Sequence, residues 1–130
     1  MIEASCHCGT VNLEILSAPE EVTDCNCSIC RRYGVLWAYY SPAHVHIIAT
    51  EGATQGYRWG DKSIGFHRCQ NCGCVTHWAA VDKNRDRMGV NAQLMTPEIL
   101  AALGHRLTRR RIRPSVSHEP SEKASFASQQ

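Results

Sequence analysis

The residues best equipped for chemistry in this chain are its eight cysteines, which fall into three short groups. These are Cys6-His7-Cys8, Cys25-Asn26-Cys27-Ser28-Ile29-Cys30 and Cys69-Gln70-Asn71-Cys72-Gly73-Cys74. Separations of two and three residues favour chelation over a disulfide framework. Cys6 and Cys8 stand at i and i+2, so in extended backbone their sulfurs project to one face. Cys69 and Cys72 have the C-x-x-C spacing of a zinc knuckle, and Gly73 follows where the turn needs room. The two pairs together offer four thiolates, the closed tetrahedral set of a structural zinc. Such a site would tie the first strand to a late one and contribute on the order of 10 kcal/mol to folding.

The middle group implies something else. Cys25 and Cys27 share a face and Cys30 returns from a tight turn, so one segment grips a metal with three sulfurs. Three protein ligands and an open fourth position is the arrangement of a catalytic zinc. Three thiolates make the ion a poor activator of water, but leave it suited to a further thiol, which it deprotonates and holds as a nucleophile. The expected chemistry is thiolate attack on an electrophile rather than peptide or ester cleavage. Cys74 has two readings, a buried small hydrophobe or a fourth sulfur that closes the middle site.

Other side chains are weighed against blander roles. Arg31 and Arg32 follow the last ligand of the open site, where guanidinium groups can bind carboxylates or simply be solvated. Trp37, Tyr39 and Tyr40 can wall a pocket or fill a core. His44 and His46, read as sharing a strand face, are taken as surface residues. His7, His67 and His77 neighbour the cysteine motifs and are read as supporting or packing groups, because four cysteines already complete the first site.

These groups need a scaffold of short strands. Residues 11–16 alternate apolar and polar, with Val11, Leu13 and Ile15 on one side. Residues 35–41 and 45–50 are rich in β-branched and aromatic types, with Pro42 between them as a turn residue. Further strands are expected over 54–59, 63–68, 75–81 and 87–94, separated by Gly60-Asp61 and Asp82-Lys83-Asn84. One short C-terminal helix is signalled: Thr96 caps it, Pro97 opens it, Glu98 favours its positive end and Gly104 stops it. The body is therefore mainly β.

In order and spacing, Cys6-His7-Cys8-Gly9, Cys25-Asn26-Cys27-Ser28-Ile29-Cys30-Arg31-Arg32 and Cys69-Gln70-Asn71-Cys72-Gly73 resemble three signatures of a known family. It is the glutathione-dependent formaldehyde-activating enzyme and centromere protein V family, and the resemblance spans residue 3 to about residue 95. It implies an Mss4-like all-β fold with two zinc ions per chain, one structural and one catalytic. By the same resemblance Cys6, Cys8, Cys69 and Cys72 hold the first ion, and Cys25, Cys27 and Cys30 the second. The implied reaction is formation of S-hydroxymethylglutathione from glutathione and formaldehyde, a carbon–sulfur lyase activity, or a related one. Its implied partners are a small thiol such as glutathione and a small aldehyde. The chain departs from the family pattern in its compact length and in Cys74, which stands where a hydroxyl or small residue is common.

Composition limits the alternatives. At 130 residues, 43% of them hydrophobic and 20% charged, the chain suits one soluble domain with a modest core. No apolar run approaches a membrane span, and residues 1–17 lack the pattern of an export signal, so a cytoplasmic location with persistent thiols is expected. The net charge of +2 conceals a basic cluster, Arg106, Arg109, Arg110, Arg111 and Arg113. The folded unit is read as 1–113, and the Ser- and Gln-rich 114–130 as a flexible tail. A second function class follows from the cluster, a zinc-stabilised binding module that holds nucleic acid through its arginines. The slightly acidic body weighs against nucleic acid, so the enzyme is the favoured reading.

Overall fold

Apolar residues at every second position make β2 (Asn12–Ile15) a one-sided strand. Leu13 and Ile15 are wholly buried, as is Val11 just before them, while Asn12 and Glu14 are half-buried. The computed structural model describes residues 1–103 and, as backbone, 107–110. In it β2 is the centre of a three-stranded antiparallel sheet, between β1 (Ile2–Ser5) and β5 (Val45–Ile48).

A second sheet holds seven strands. They are β3 (Val22–Cys25), β4 (Trp37–Tyr40), β6 (Thr54–Arg58), β7 (Ile64–Cys69), β8 (Val75–Ala80), β9 (Met88–Asn91) and β10 (Leu107–Arg110). Their order is β10-β3-β4-β9-β8-β7-β6, and only the β10–β3 pair is parallel. Successive strand residues point to opposite faces, and this sheet uses both. Val22, Ala38, Met88 and Val90 join Ala4, Leu13 and Ile15 of the smaller sheet in the main core. Trp37, Phe66, Trp78 and Cys25 belong to a second apolar cluster with Cys30 of α1 (Ser28–Tyr33). One face thus packs the main core and the other carries the second cluster with its three cysteines.

The fold is mainly β, and every strand expected from residue 11 onward is present within a few residues of its expected ends. The helix near the C-terminal end is α2 (Pro97–Leu103), opened by Pro97 and buried at Leu103. Gly104, its expected stop, lies outside the described residues. Four elements carry no clear sequence signal: β1, β3, α1 and β10. The first two are only four residues long. The six-residue α1 is made by its ends, with Cys27 as N-cap and Gly34 at φ +69° as C-cap. Of the basic cluster, Arg109 and Arg110 fall on β10, in register with Asp24 and Cys25. Arg106, Arg111, Arg113 and the expected tail 114–130 lie outside the described residues. His44 ends a 3-10 turn (Pro42–His44) and His46 lies on β5, so the two do not share a strand face. Among the described residues no helix is long and apolar enough to cross a membrane.

Candidate functional site

Two groups of cysteine sulfurs converge, and their membership follows the spacing argument. The Sγ atoms of Cys6, Cys8, Cys69 and Cys72 all lie within 4.8 Å of one another, and so do those of Cys25, Cys27 and Cys30. All eight thiols are free. A tetrahedral zinc with bonds of 2.3 Å to sulfur separates its ligands by about 3.8 Å. The Cys6–Cys8 and Cys8–Cys69 sulfurs are 3.7 and 3.6 Å apart. Both clusters could hold a metal ion, and an all-sulfur donor set suits zinc.

Local backbone explains the convergence, with two corrections to the sequence reading. Cys6 and Cys8 are brought together by a tight turn after β1 rather than by extended strand. Gly9 N–H donates to the Cys6 carbonyl at 3.2 Å, and Gly9 itself takes φ +83°. Cys30 lies in the first turn of α1 rather than in a return loop. The two C-x-x-C segments share one device, since the Cys30 N–H donates to the Cys27 sulfur and the Cys72 N–H to the Cys69 sulfur, each at 3.5 Å. The Val11 N–H adds a third such bond, to the Cys6 sulfur at 3.3 Å. Backbone donors aimed at sulfur favour its anionic form.

Electrostatics in both clusters point the same way. The Cys27 thiol is brought down to about 2 by hydrogen bonds from Cys25 and Cys30, and Cys30 is pushed up by those same neighbours. In the first cluster the Thr10 hydroxyl and Asn71 bring Cys8 down to about 5, while burial pushes Cys6 up to about 11. In the second cluster Cys27 is set to carry negative charge while Cys25 and Cys30 are pushed up, and in the first Cys8 and Cys72, the latter brought down to about 7 by backbone N–H groups, ionise ahead of Cys6, as expected where like charges this close repel. A bound cation removes that repulsion and lets every sulfur ionise.

The clusters differ in their surroundings. Cys25, Cys27 and Cys30 line a cavity of about 520 Å³, a volume suited to a small molecule. Its aromatic wall is Trp37, Tyr39, Trp59, Phe66 and Trp78. Trp37 Nε1–H donates to the Cys30 sulfur at 3.3 Å, so one ring both walls the cavity and orients a sulfur of the cluster. Phe66 packs on Trp37 and Tyr33, with centroids 6.1 and 5.7 Å away. Trp78 lies across Gly89, where an added Cβ would come within 2.1 Å of Nε1. Polar groups on the lining include Asp61, Ser63, Arg85 and Arg87.

Other expected residues fall as follows. Trp37 and Tyr39 wall the cavity, whereas Tyr40 packs against the main core and donates its hydroxyl to the Ser17 carbonyl at 2.9 Å. Arg31 and Arg32 are exposed and off the cavity lining, and Arg32 Nη1 donates to the Ser28 carbonyl at 2.8 Å. Cys74 belongs to neither sulfur cluster and is half-buried against the main core. His67 and His77 stack with centroids 4.6 Å apart, and burial lowers the pKa of His77 to about 3. Neither ring joins a sulfur cluster. Trp59, Phe66, Trp78, Arg85, Arg87 and Gly89 were not singled out by sequence. The i, i+2 spacing of Arg85 and Arg87 ahead of β9 was the available signal for the arginines.

Comparison with known proteins completes the description. A family model described as glutathione-dependent formaldehyde-activating enzyme matches residues 1–115. No curated protein matches the chain. A crystal structure of a Rhodobacter sphaeroides protein superposes with a TM-score of 0.67 at 25% sequence identity, covering 82% of this chain and 99% of that one.

Proposed function

The chain belongs to the glutathione-dependent formaldehyde-activating enzyme family, and on that premise we propose that it is a zinc-dependent enzyme of carbon–sulfur lyase type. Its substrates are a small thiol such as glutathione and a small aldehyde, joined as S-hydroxymethylglutathione or a related adduct. Cys6, Cys8, Cys69 and Cys72 would hold a structural zinc, and Cys25, Cys27 and Cys30 a catalytic one. The observation that carries the reading is the placement of a three-sulfur cluster on the lining of an aromatic cavity, with no fourth cysteine in the group.

Zinc on that cluster would keep one position for an incoming thiol and lower its pKa. The reaction adds S–H across the aldehyde C=O. A C–S bond forms, the carbonyl π bond breaks and the thiol proton ends on the carbonyl oxygen, so no oxidant or reductant is consumed. The protein's contribution is positional. Capping of α1 by Cys27 and the Trp37 N–H bond hold two of the three sulfurs in place. The rings of Trp37, Phe66 and Trp78 exclude water, which would otherwise compete with the thiol for the aldehyde. Such a protein suits a reducing cytoplasm, where free thiols persist.

Cobalt substitution tests the reading, because cobalt reports its sulfur ligands by thiolate-to-metal absorption. Adding glutathione to the cobalt-loaded protein is expected to raise that absorption by one further sulfur. A spectrum unchanged at millimolar glutathione overturns the thiol assignment.

A further inference from the structure

Arg85 and Arg87 share the cavity lining with the three sulfurs, yet the addition reaction needs no cation of theirs. One short segment delivers both: they stand at i and i+2 in the chain leading into β9, so in extended backbone they project to one side. The intervening carboxylate, Asp86, is engaged elsewhere and accepts from the Ser41 hydroxyl. Both guanidinium groups lie over aromatic rings of the same wall. Arg87 Cζ is 4.2 Å from the centroid of Tyr39, and Arg85 Cζ is 5.4 Å from that of Trp78. Those two rings are themselves in edge contact at 6.3 Å.

Stacking restrains a long, flexible side chain before any ligand arrives. The guanidinium N–H edge has a geometry that matches a carboxylate with two parallel hydrogen bonds. Both arginines are exposed at the cavity's rim, within reach of an incoming ligand. The acidic group on the same lining, Asp61, accepts the Ser63 N–H at 3.0 Å. Arg31 and Arg32, closer to the ligands in sequence, are off the lining.

We infer that Arg85 and Arg87 form the subsite that binds the carboxylates of the thiol substrate. This rests on the thiol reading above. It narrows that reading to acid-bearing thiols and places specificity in the segment before β9. Glutathione, with its thiol on the middle residue and a carboxylate toward each end, has the required chemistry.

S-methylglutathione separates this subsite from the metal, since its blocked sulfur offers no thiolate. Calorimetric titration of the metal-loaded protein is expected to show binding that Arg87→Met or Arg85→Met each weakens about tenfold or more, the scale of a lost hydrogen bond to a charged group. Arg87→Lys recovers part of the loss, because charge returns without the flat two-bond edge. The diethyl ester of S-methylglutathione should bind the unaltered protein as weakly as the acid binds the doubly substituted one. Equal affinity for ester and acid, undiminished binding by both methionine variants, or no binding of the acid at millimolar concentration each overturns the subsite. A normal titration beside an unchanged cobalt spectrum would instead remove the thiol reading and leave the carboxylate subsite standing.

Discussion

Cys27 has two tasks, and they can be separated chemically. Its sulfur caps α1 by accepting the Cys30 N–H, and it is the thiol of the second cluster most readily ionised. Serine is among the best N-cap residues, whereas its hydroxyl is a poor ligand for zinc. Cys27→Ser should therefore keep the helix and lose the metal. We expect metal content to fall by about one equivalent per chain, with unchanged far-ultraviolet circular dichroism. Full metal retention in this variant would show that the middle cluster does not depend on Cys27. The same residue shows why sulfur groupings are easier to read than local structure. Cysteine spacing grouped seven sulfurs correctly, yet the helix that begins at Ser28 has no run of apolar residues to announce it.

At the scale of elements, β8 and β9 shape the cavity through a single missing side chain. Trp78 of β8 stands opposite Gly89 of β9 in the strand register, and its indole occupies the space where a Cβ would be. Gly89→Ala forces the ring aside or the strands apart, with a cost of about 1–3 kcal/mol, the usual range for overpacking. A lowered urea midpoint and an altered tryptophan emission are expected together. An alanine variant with the original midpoint and spectrum would mean that the indole has room to spare. Nothing local in the sequence marks this pairing. Alternation at Val11, Leu13 and Ile15, or turn chemistry at Gly60-Asp61, depends on near neighbours and is legible. The cavity is not, because its wall collects Trp37, Tyr39, Trp59, Phe66 and Trp78 from separate stretches of chain that only sheet order brings together. Arg31 and Arg32, left open between carboxylate binding and solvation, show the same limit, being next to Cys30 in sequence and off the lining in space.

For the whole molecule, the first cluster matters as a link between sheets. Cys6 and Cys8 lie on the turn joining β1 to β2 in the smaller sheet, while Cys69 ends β7 and Cys72 lies on the turn from β7 to β8 in the larger one. Elsewhere the sheets meet through apolar contacts of the main core. A metal shared by those two segments would contribute on the order of 10 kcal/mol, comparable to the whole net stability of a domain this size. The second cluster draws its sulfurs from β3, α1 and the N-cap of α1 alone, so a metal there would join nothing distant. With zinc on both clusters, as proposed, removal of the two ions would have unequal consequences. A mild chelator is expected to take about one equivalent from the three-sulfur cluster, which lines a cavity and offers fewer bonds, with little change in Tm. Stronger chelation, or Cys69→Ser, should then abolish the cooperative unfolding transition. Metal content and calorimetric unfolding followed on the same samples check both steps. A fully metal-free chain that still melts cooperatively at the original temperature would mean that the core alone holds the two sheets together.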